Sequence, residues 1–208
     1  MGYCLVKYNR KILSWFSLLV AVVLAVCSAW WLLVYDNYHE VIPGRLYRSG
    51  QMTPSRLAVH AEKDLLCTVI SLRPDMADAW HRDEVEVCRA LGVEHLDFPM
   101  PGDVPPTAEE MDALLSAMRS AQAPVLVHCT HGADRTGLAV ALYLKCIEGR
   151  GADESARALS LRFGHLPIMR DFDAAFLQYE CGRCSQSFTV TRTLGAAGQT
   201  RGWSDEIE

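Results

Sequence analysis

The 208-residue sequence predicts an α/β fold with a mostly parallel central sheet flanked by helices, preceded by one N-terminal transmembrane helix. Short β-branched and apolar runs alternate along the chain with longer segments of helical periodicity. The run "PVLVHC", residues 124–129, is continuously apolar before its last two residues, which is typical of a strand buried in a parallel sheet. An uncharged apolar segment, residues 12–34, lies near the N terminus.

Composition restricts the classes of function. Half of the residues are apolar, which predicts one domain with a substantial core. The net charge of −5 gives no reason to expect nucleic-acid binding, so any anion site must be local. We expect Cys67, Cys88 and Cys146 to be buried apolar residues. Cys181 and Cys184 form a lone CxxC pair, which is half of a metal site at best.

Residues 12–34 predict a transmembrane anchor, because a helix of this length extends about 34 Å and can cross a bilayer. The alternative is a cleaved signal peptide, whose apolar region is usually shorter. Three basic residues lie in the preceding segment, residues 1–11, which the positive-inside rule places in the cytoplasm. We therefore expect a single-pass membrane protein whose following domain lies on the non-cytoplasmic side.

The rest of the chain divides into three parts. Residues 35–44 predict a short linker that ends in the turn signal Pro43-Gly44. Residues 45–184 carry the alternating strand and helix patterns of a folded domain. Residues 185–208 are rich in Gly, Ser and Thr without apolar periodicity, and we expect them to be a disordered tail.

The elements of this domain follow from apolar patterning and helix-end signals. Thr107 with Glu110 has the spacing of a capping box, and Gly92 is a plausible helix terminator. We predict strands at 68–72, 93–98 and 124–129, and helices at 77–92, 107–121, 136–149, 153–163 and 169–179.

The segment "VLVHCTHGADRTGLA", residues 125–139, joins a predicted strand to a predicted helix through a polar loop. Backbone N–H groups and the helix dipole at such a junction favour an anion. Gly132 and Gly137 let the backbone curl closely around a ligand, and the planar fork of Arg135 matches two phosphate oxygens. Such surroundings lower a cysteine pKa from about 8.5 to roughly 3.5–7.5, so Cys129 is a candidate thiolate nucleophile.

The spacing from Cys129 to Thr136 resembles the Cys-x5-Arg-Ser/Thr signature of the cysteine-based phosphatases, the protein tyrosine and dual-specificity superfamily. The segments "IPGRLYRSGQMTP" and "TVISLRPD" extend this resemblance over about residues 41–179. The length is similar to that of the compact dual-specificity type. The resemblance implies that residues 45–184 form a phosphatase domain that needs no metal or other cofactor.

The resemblance also implies a role for each residue of the loop. Cys129 would take the phosphoryl group, and water would hydrolyse the intermediate. Arg135 would clamp the phosphate and support the transition state, His128 would tune the cysteine, and Thr136 would donate a hydrogen bond to the leaving thiolate. The other loop residues are expected to line the substrate site: Thr130, His131, Gly132, Ala133 and Gly137.

The mechanism needs an acid to protonate the leaving group, and two candidates remain open. Asp103 is the first choice, because "LDFPMPGDVPPTAEEM" lies where the family carries its mobile acid loop. Asp134 is the rival, because "GADRTG" resembles the "KDRTG" loops of some bacterial phosphatases in which the loop Asp has been assigned an acid role. Asp134 can alternatively hydrogen-bond the loop and orient Arg135. Asp97, at the end of a strand, is interpreted as a solvated surface residue.

The sequence thus predicts a membrane-anchored phosphatase that acts on phosphotyrosine or related phosphomonoesters. A phospholipid or phosphoinositide head group is the alternative substrate. A catalytically inactive phosphate-binding adaptor is the third hypothesis, against which the intact Cys129, Arg135 and Thr136 argue. The expected partners are a phosphorylated protein or phospholipid and the membrane, with no nucleic acid.

Overall fold

The chain folds as two units, Met1–Tyr35 and Asp36–Glu208, in a computed structural model that describes residues 2–34, 36–167, 171–182 and 191–193. The first unit contains one helix, α1, which spans Gly2–Val34. All other described helices and strands belong to the second unit.

The predicted membrane anchor is not supported. A transmembrane helix needs about 20 consecutive, predominantly apolar residues. Across the described parts of the chain, no helix combines the length and the apolar character needed to span a bilayer. The predicted transmembrane helix at 12–34 is therefore wrong, and so is the predicted single-pass membrane location with the domain on the non-cytoplasmic side.

A mixed sheet forms the centre of the second unit, with strand order β1-β2-β5-β3-β4-β6 among the described residues. The strands are β1 His39–Ile42, β2 Leu46–Ser49, β3 Thr68–Ser71, β4 Glu94–Asp97, β5 Val125–His128 and β6 Thr191–Thr193. The four inner strands are parallel, whereas β1 and β6 pair antiparallel at the two edges. The predicted α/β architecture with a mostly parallel sheet therefore fits, apart from the N-terminal helix.

Both edge strands lie in segments for which no strand was predicted. Strand β1 falls within residues 35–44, where the sequence predicts a linker. Strand β6 falls within residues 185–208, where it predicts a disordered tail, and these three residues are the only ones of that segment that the structure describes.

Six helices and one 3-10 turn accompany the sheet in the described residues of the second unit. They are α2 Pro54–Lys63, α3 Ala79–Leu91, α4 Ala108–Ser120, α5 Asp134–Cys146, α6 Ala152–Ala156, the turn Leu161–Phe163 and α7 Phe172–Gln178. Gly92 ends α3 with a φ of 70°, and Thr107 caps α4 in the predicted capping box with Glu110. The helix predicted at 153–163 is interrupted, because Ser160 adopts an extended backbone.

Both faces of the inner strands are buried, which explains the largely apolar sequences of β3 and β5. Ile70 and Val127 face a core formed with α4, α5 and α7. Their neighbours Val69 and Leu126 face a second core formed with α2 and α3. Helix α5 is buried along most of its length, so the loop that precedes it is held between the sheet and the larger core.

A disulfide joins Cys146, the last residue of α5, to Cys181, which follows α7. The two Cα atoms are 5.3 Å apart. Cys146 is therefore not the buried free thiol that the sequence suggested, whereas Cys88 is free and buried. Cys184 lies outside the described residues. The bridge therefore links the C-terminal end of α5 to the segment that follows α7.

Replacing Cys146 and Cys181 together by serine should lower the free energy of unfolding by about 3–4 kcal/mol, because the bridge closes a loop of 35 residues in the unfolded chain. Urea unfolding of the full chain measures the change, and a reducing agent should have the same effect on the wild-type protein. Cys67→Ser is the control, since this thiol is free. An unchanged urea midpoint in the double variant would show that the bridge does not stabilise the fold.

Candidate active site

The predicted phosphate loop lies at the carboxyl end of the sheet's central strand. Strand β5 ends at His128 and helix α5 begins at Asp134, so residues 129–133 make the connection. Strand β5 is flanked by the parallel strands β2 and β3. Ligands of open α/β sheets bind at this edge of the sheet. The side chain of Cys129 is buried at the base of the loop.

The loop packs so closely against the end of β2 that position 132 requires glycine. Gly132 has a φ of 70°, and a Cβ atom added there would lie 2.6 Å from the backbone of Ser49 and of Gly50. Such a contact is far shorter than van der Waals contact between these atoms. Gly50 is close to the loop in turn, because its own Cβ would lie 3.1 Å from the carbonyl oxygen of Thr130.

Three consecutive carbonyl groups of the loop, those of residues 130–132, accept hydrogen bonds from groups outside it. The backbone amide of Gln51 donates to the carbonyl of residue 130 at 3.0 Å. Asn37 Nδ2 donates to the carbonyl of residue 131 at 3.0 Å, and Arg48 Nη2 donates to the carbonyl of residue 132 at 2.7 Å. In a planar trans peptide the N–H points opposite to the carbonyl. The amides of residues 131–133 are therefore turned to the other side of the loop, which makes an anion-binding nest.

Arg48 is a buried structural cation that the sequence did not identify as part of the site. It is fully buried, and besides Gly132 it donates to the carbonyl of Ala158 at 2.8 Å. Its guanidinium carbon lies 3.9 Å from the ring centroid of Phe163. Burial lowers the pKa of Arg48 to about 9, so the group remains charged at neutral pH. Arg48 therefore supports the loop on the side where its carbonyl groups lie.

Cys129 lies in surroundings that favour the thiolate. Burial alone raises a thiol pKa, but hydrogen bonds from Thr136 and the charge of Arg135 bring the pKa of Cys129 below its ordinary value. The backbone amide of Gly132 adds to this effect. The structure thus brings Cys129, Gly132, Arg135 and Thr136 together, as the motif predicts.

The guanidinium of Arg135 is held in a fixed position. Its Nη1 donates to the carbonyls of Leu72 at 3.3 Å and Met100 at 3.2 Å, and its Nη2 donates to Thr130 Oγ1 at 3.1 Å. These partners come from the ends of two strands and from the loop itself. They fix the plane of the fork that a phosphate would meet.

His128 is oriented by a buried carboxylate that the sequence analysis did not single out. Its Nε2 lies 3.1 Å from Glu84 Oε1, and its Nδ1 lies 3.4 Å from the carbonyl oxygen of Cys129. Burial alone lowers the pKa of a histidine, but Glu84 raises the pKa of His128 above its ordinary value. Glu84 therefore favours the protonated form of the imidazole beside the nucleophile. The only sequence signal for Glu84 is an acidic residue on the buried face of α3.

The two candidate acids have different surroundings. Asp103 is exposed on the loop after β4. This loop lies against the site, because a Cβ atom on Gly102 would be 3.5 Å from Arg135 Nη2. Asp134 instead faces His165. The Nδ1 of His165 lies 2.7 Å from Asp134 Oδ1, and its Nε2 lies 2.8 Å from Asp173 Oδ2. Burial lowers the pKa of His165, but the two carboxylates raise it above its ordinary value.

The remaining predicted residues divide into exposed and buried positions. His131 is exposed and Thr130 is half-buried, so both can meet a ligand at the mouth of the loop. Ala133 is buried. At Gly137 an added Cβ would lie 2.9 Å from the Ala158 carbonyl oxygen, so this glycine is required for the packing of α5. Asp97, expected to be solvated, is buried.

Comparisons with known proteins agree with this geometry. A family model described as the Swiss Army Knife protein DSP-PTPase phosphatase domain matches residues 41–170. The chain is 31% identical over 195 residues to the dual specificity protein phosphatase TpbA of Pseudomonas aeruginosa, covering 80% of this chain and 81% of that protein.

Solved structures show the same fold. The crystal structure of P. aeruginosa TpbA in complex with phosphotyrosine is 26% identical, covers 70% of this chain and 86% of its own, and has a TM-score of 0.55. The core catalytic domain of the PP-IP phosphatase Siw14 from S. cerevisiae, in complex with citrate, is 19% identical with a TM-score of 0.56. It covers 70% of this chain and 86% of its own.

Replacing Thr136 by alanine should raise the pKa of Cys129, because the hydrogen bonds of Thr136 help to lower it. The rate of iodoacetamide alkylation of Cys129 should therefore rise at higher pH in the variant than in the wild-type protein. Mass spectrometry of the peptide that contains Cys129 measures this rate, and the free thiol of Cys67 is the internal reference. Identical profiles for Cys129 and Cys67 in the wild-type chain would contradict the assignment.

Proposed function

The chain belongs to the DSP-PTPase family of cysteine-based phosphatases, and we propose that it hydrolyses phosphotyrosine or a related phosphomonoester in proteins through a cysteinyl-phosphate intermediate on Cys129. The observation that carries this proposal is the lowered pKa of Cys129 within a loop whose amides face inward and whose Arg135 is fixed. The name of TpbA and its complex with phosphotyrosine support the substrate class.

Binding of the phosphate would use the amides of residues 131–133 and the fork of Arg135. Both are in place before the ligand arrives, because their positions are set by hydrogen bonds to other parts of the chain. Preorganised donors of this kind stabilise charge without a reorganisation cost during the reaction. The charge on Arg135 and the nest would also compensate for the burial of the phosphate.

In the first step, Cys129 Sγ would attack phosphorus as the bond between phosphorus and the leaving oxygen breaks. The leaving oxygen takes a proton from the general acid. In the second step, the carboxylate left by the general acid would take a proton from water as the water oxygen attacks phosphorus. The bond from phosphorus to sulfur would break, and the thiolate and the protonated acid would both be regenerated. The hydrogen bond from Thr136 would stabilise that thiolate as it leaves.

We assign the general acid to Asp103. The loop that carries Asp103 lies against Arg135, and the side chain of Asp103 is exposed to solvent. Asp134 Oδ1 instead lies 2.7 Å from His165 Nδ1, and the other ring nitrogen of His165 lies 2.8 Å from Asp173 Oδ2, so the carboxylate of Asp134 is already engaged within the fold. The role of Asp134 is then to fix the start of α5.

The two alternatives have less support. Phosphoinositide-cleaving relatives often carry lysines in the middle of the loop, whereas this loop has Thr130, His131 and Ala133 there. An inactive adaptor would have no need for a thiolate, yet the surroundings of Cys129 lower its pKa. The first observation favours a phosphoprotein substrate, and the second favours an active phosphatase.

Replacing Cys129 by serine should lower the turnover of an aryl phosphate by roughly 10⁴-fold or more, because serine is not ionised at neutral pH. Steady-state kinetics of the full chain under mild reduction measures the loss. The variant should still bind a phosphotyrosine peptide, since the amides and Arg135 are retained. Residual turnover near the wild-type value would rule out the cysteinyl-phosphate, and Cys67→Ser is the matched control.

Replacing Asp103 by asparagine should reduce kcat for phenyl phosphate by about 10²–10³-fold and for an activated nitrophenyl ester far less, because only the poor leaving group needs the proton. Asp134→Asn should affect both substrates equally. The exposed Asp153 provides the control variant Asp153→Asn. If the dependence on the leaving group appears with Asp134→Asn instead, the acid assignment is wrong.

A further inference from the structure

A second cluster of chemically competent side chains lies outside the phosphate loop, where α3 begins and β4 ends. His81, His95 and Asp97 each offer one ligand atom, and these atoms all lie within 4.8 Å of one another. His81 Nε2 is 2.9 Å from Asp97 Oδ1, and His95 Nδ1 is 3.7 Å from Asp97 Oδ2. We propose that these three residues form a binding site for a divalent transition-metal ion of the Zn²⁺ class.

The orientation of His95 is the first argument. Its Nε2 lies 2.9 Å from Glu84 Oε1, and because a carboxylate only accepts, this nitrogen carries the proton in the neutral ring. Nδ1 then presents a lone pair. This nitrogen is buried, has no hydrogen-bond partner among the described residues and faces the carboxylate of Asp97. A lone pair that faces a carboxylate is repulsive unless a cation lies between them.

The surroundings of His95 provide the second argument. A histidine that binds a metal usually donates its other N–H to a carboxylate, which fixes the tautomer and makes the ring a better ligand. Glu84 is the carboxylate that accepts the N–H of His95. The pair is almost completely buried, with 1% of the His95 side chain and 4% of the Glu84 side chain exposed. The second ligand, Asp97, is equally buried.

The spacing of the ligand atoms fits a small tetrahedral ion. Zinc bound at about 2.0–2.1 Å places its ligand atoms roughly 3.3 Å apart. His81 Nε2 lies 2.9 Å from Asp97 Oδ1 and His95 Nδ1 lies 3.7 Å from Asp97 Oδ2, so each nitrogen is within a few tenths of an ångström of this separation from one carboxylate oxygen. Two imidazoles and one carboxylate suit Zn²⁺, Co²⁺ or Ni²⁺ better than Mg²⁺ or Ca²⁺, which prefer oxygen ligands only.

The site also has a path to solvent. His81 lies in the first turn of α3, and 15% of its side chain is exposed. An ion can therefore enter past His81, and water can take the fourth position around it. Metal binding would replace the hydrogen bond between His81 and Asp97 by two bonds to the ion, and the displaced proton would leave to solvent.

Titration of the full chain with Zn²⁺ tests the proposal, using Cys129→Ser as the background so that the reactive thiol does not bind the ion. Calorimetry should give one tightly bound Zn²⁺ per chain. Co²⁺ in its place should give the d–d absorption of a four-coordinate site with nitrogen and oxygen ligands. Zn²⁺ should also raise the unfolding temperature, because it binds the folded state.

His81→Asn should weaken Zn²⁺ binding at least a hundredfold and abolish the rise in unfolding temperature. Asp97→Asn should have the same two effects, and asparagine has nearly the same side-chain shape as aspartate. His60→Asn is the matched control, because His60 also lies on a helix beside one carboxylate, Asp64, but without a third ligand. It should bind Zn²⁺ as the background chain does.

Two results would overturn the proposal. The first is Zn²⁺ binding that is equal in His81→Asn and His60→Asn, or absent from the background chain. The second is a cobalt spectrum dominated by thiolate charge transfer, which would place the ion on cysteine. Circular dichroism of each metal-free variant shows whether it is folded, and Asp97→Asn replaces His81→Asn in the comparison if the latter is not.

Discussion

The active site depends on the outward attachment of three loop carbonyls. Gln51, Asn37 and Arg48 each bind one carbonyl of residues 130–132, and this turns the opposite amides toward the place where an anion would bind. These three hydrogen bonds fix the orientation of successive peptide planes, so that their amides stay on one side of the loop. One of these amides, that of Gly132, also helps to lower the pKa of Cys129, in addition to the hydrogen bonds of Thr136 and the charge of Arg135. Phosphate binding and ionisation of the nucleophile therefore share part of their structural basis.

This attachment requires a buried cation, which is costly in a protein interior. Arg48 is tolerated because two carbonyls accept its N–H groups and the ring of Phe163 lies over its guanidinium. The position of β2 beside β5 brings Arg48 behind the loop, and the close contact of Gly132 with Ser49 fixes the distance between them. The sheet therefore aligns the loop as well as supporting it.

The sequence predicted the loop because its reactive residues are contiguous, so that Cys129 and Arg135 were identified from spacing alone. The residues that hold the loop come from distant segments and were not identified, because an isolated Arg48 or Glu84 gives no sequence signal until the fold buries it. Apolar runs and alternation located three of the four inner strands, β3, β4 and β5. The inner strand β2 and the edge strands β1 and β6 were missed. The transmembrane helix at 12–34 was the largest error, since no described helix meets the requirements for a span.

Glu84 links the phosphate loop to the histidine cluster, because its Oε1 faces both His128 and His95. One carboxylate thus sets the orientation of two buried rings. Charge balance extends the argument, since two buried acids, Glu84 and Asp97, lie among these rings in a medium of low dielectric constant. Asp97 lies 2.9 Å from His81 Nε2 and 3.7 Å from His95 Nδ1. The metal ion proposed here would add positive charge beside this buried carboxylate and bind the lone pair of His95.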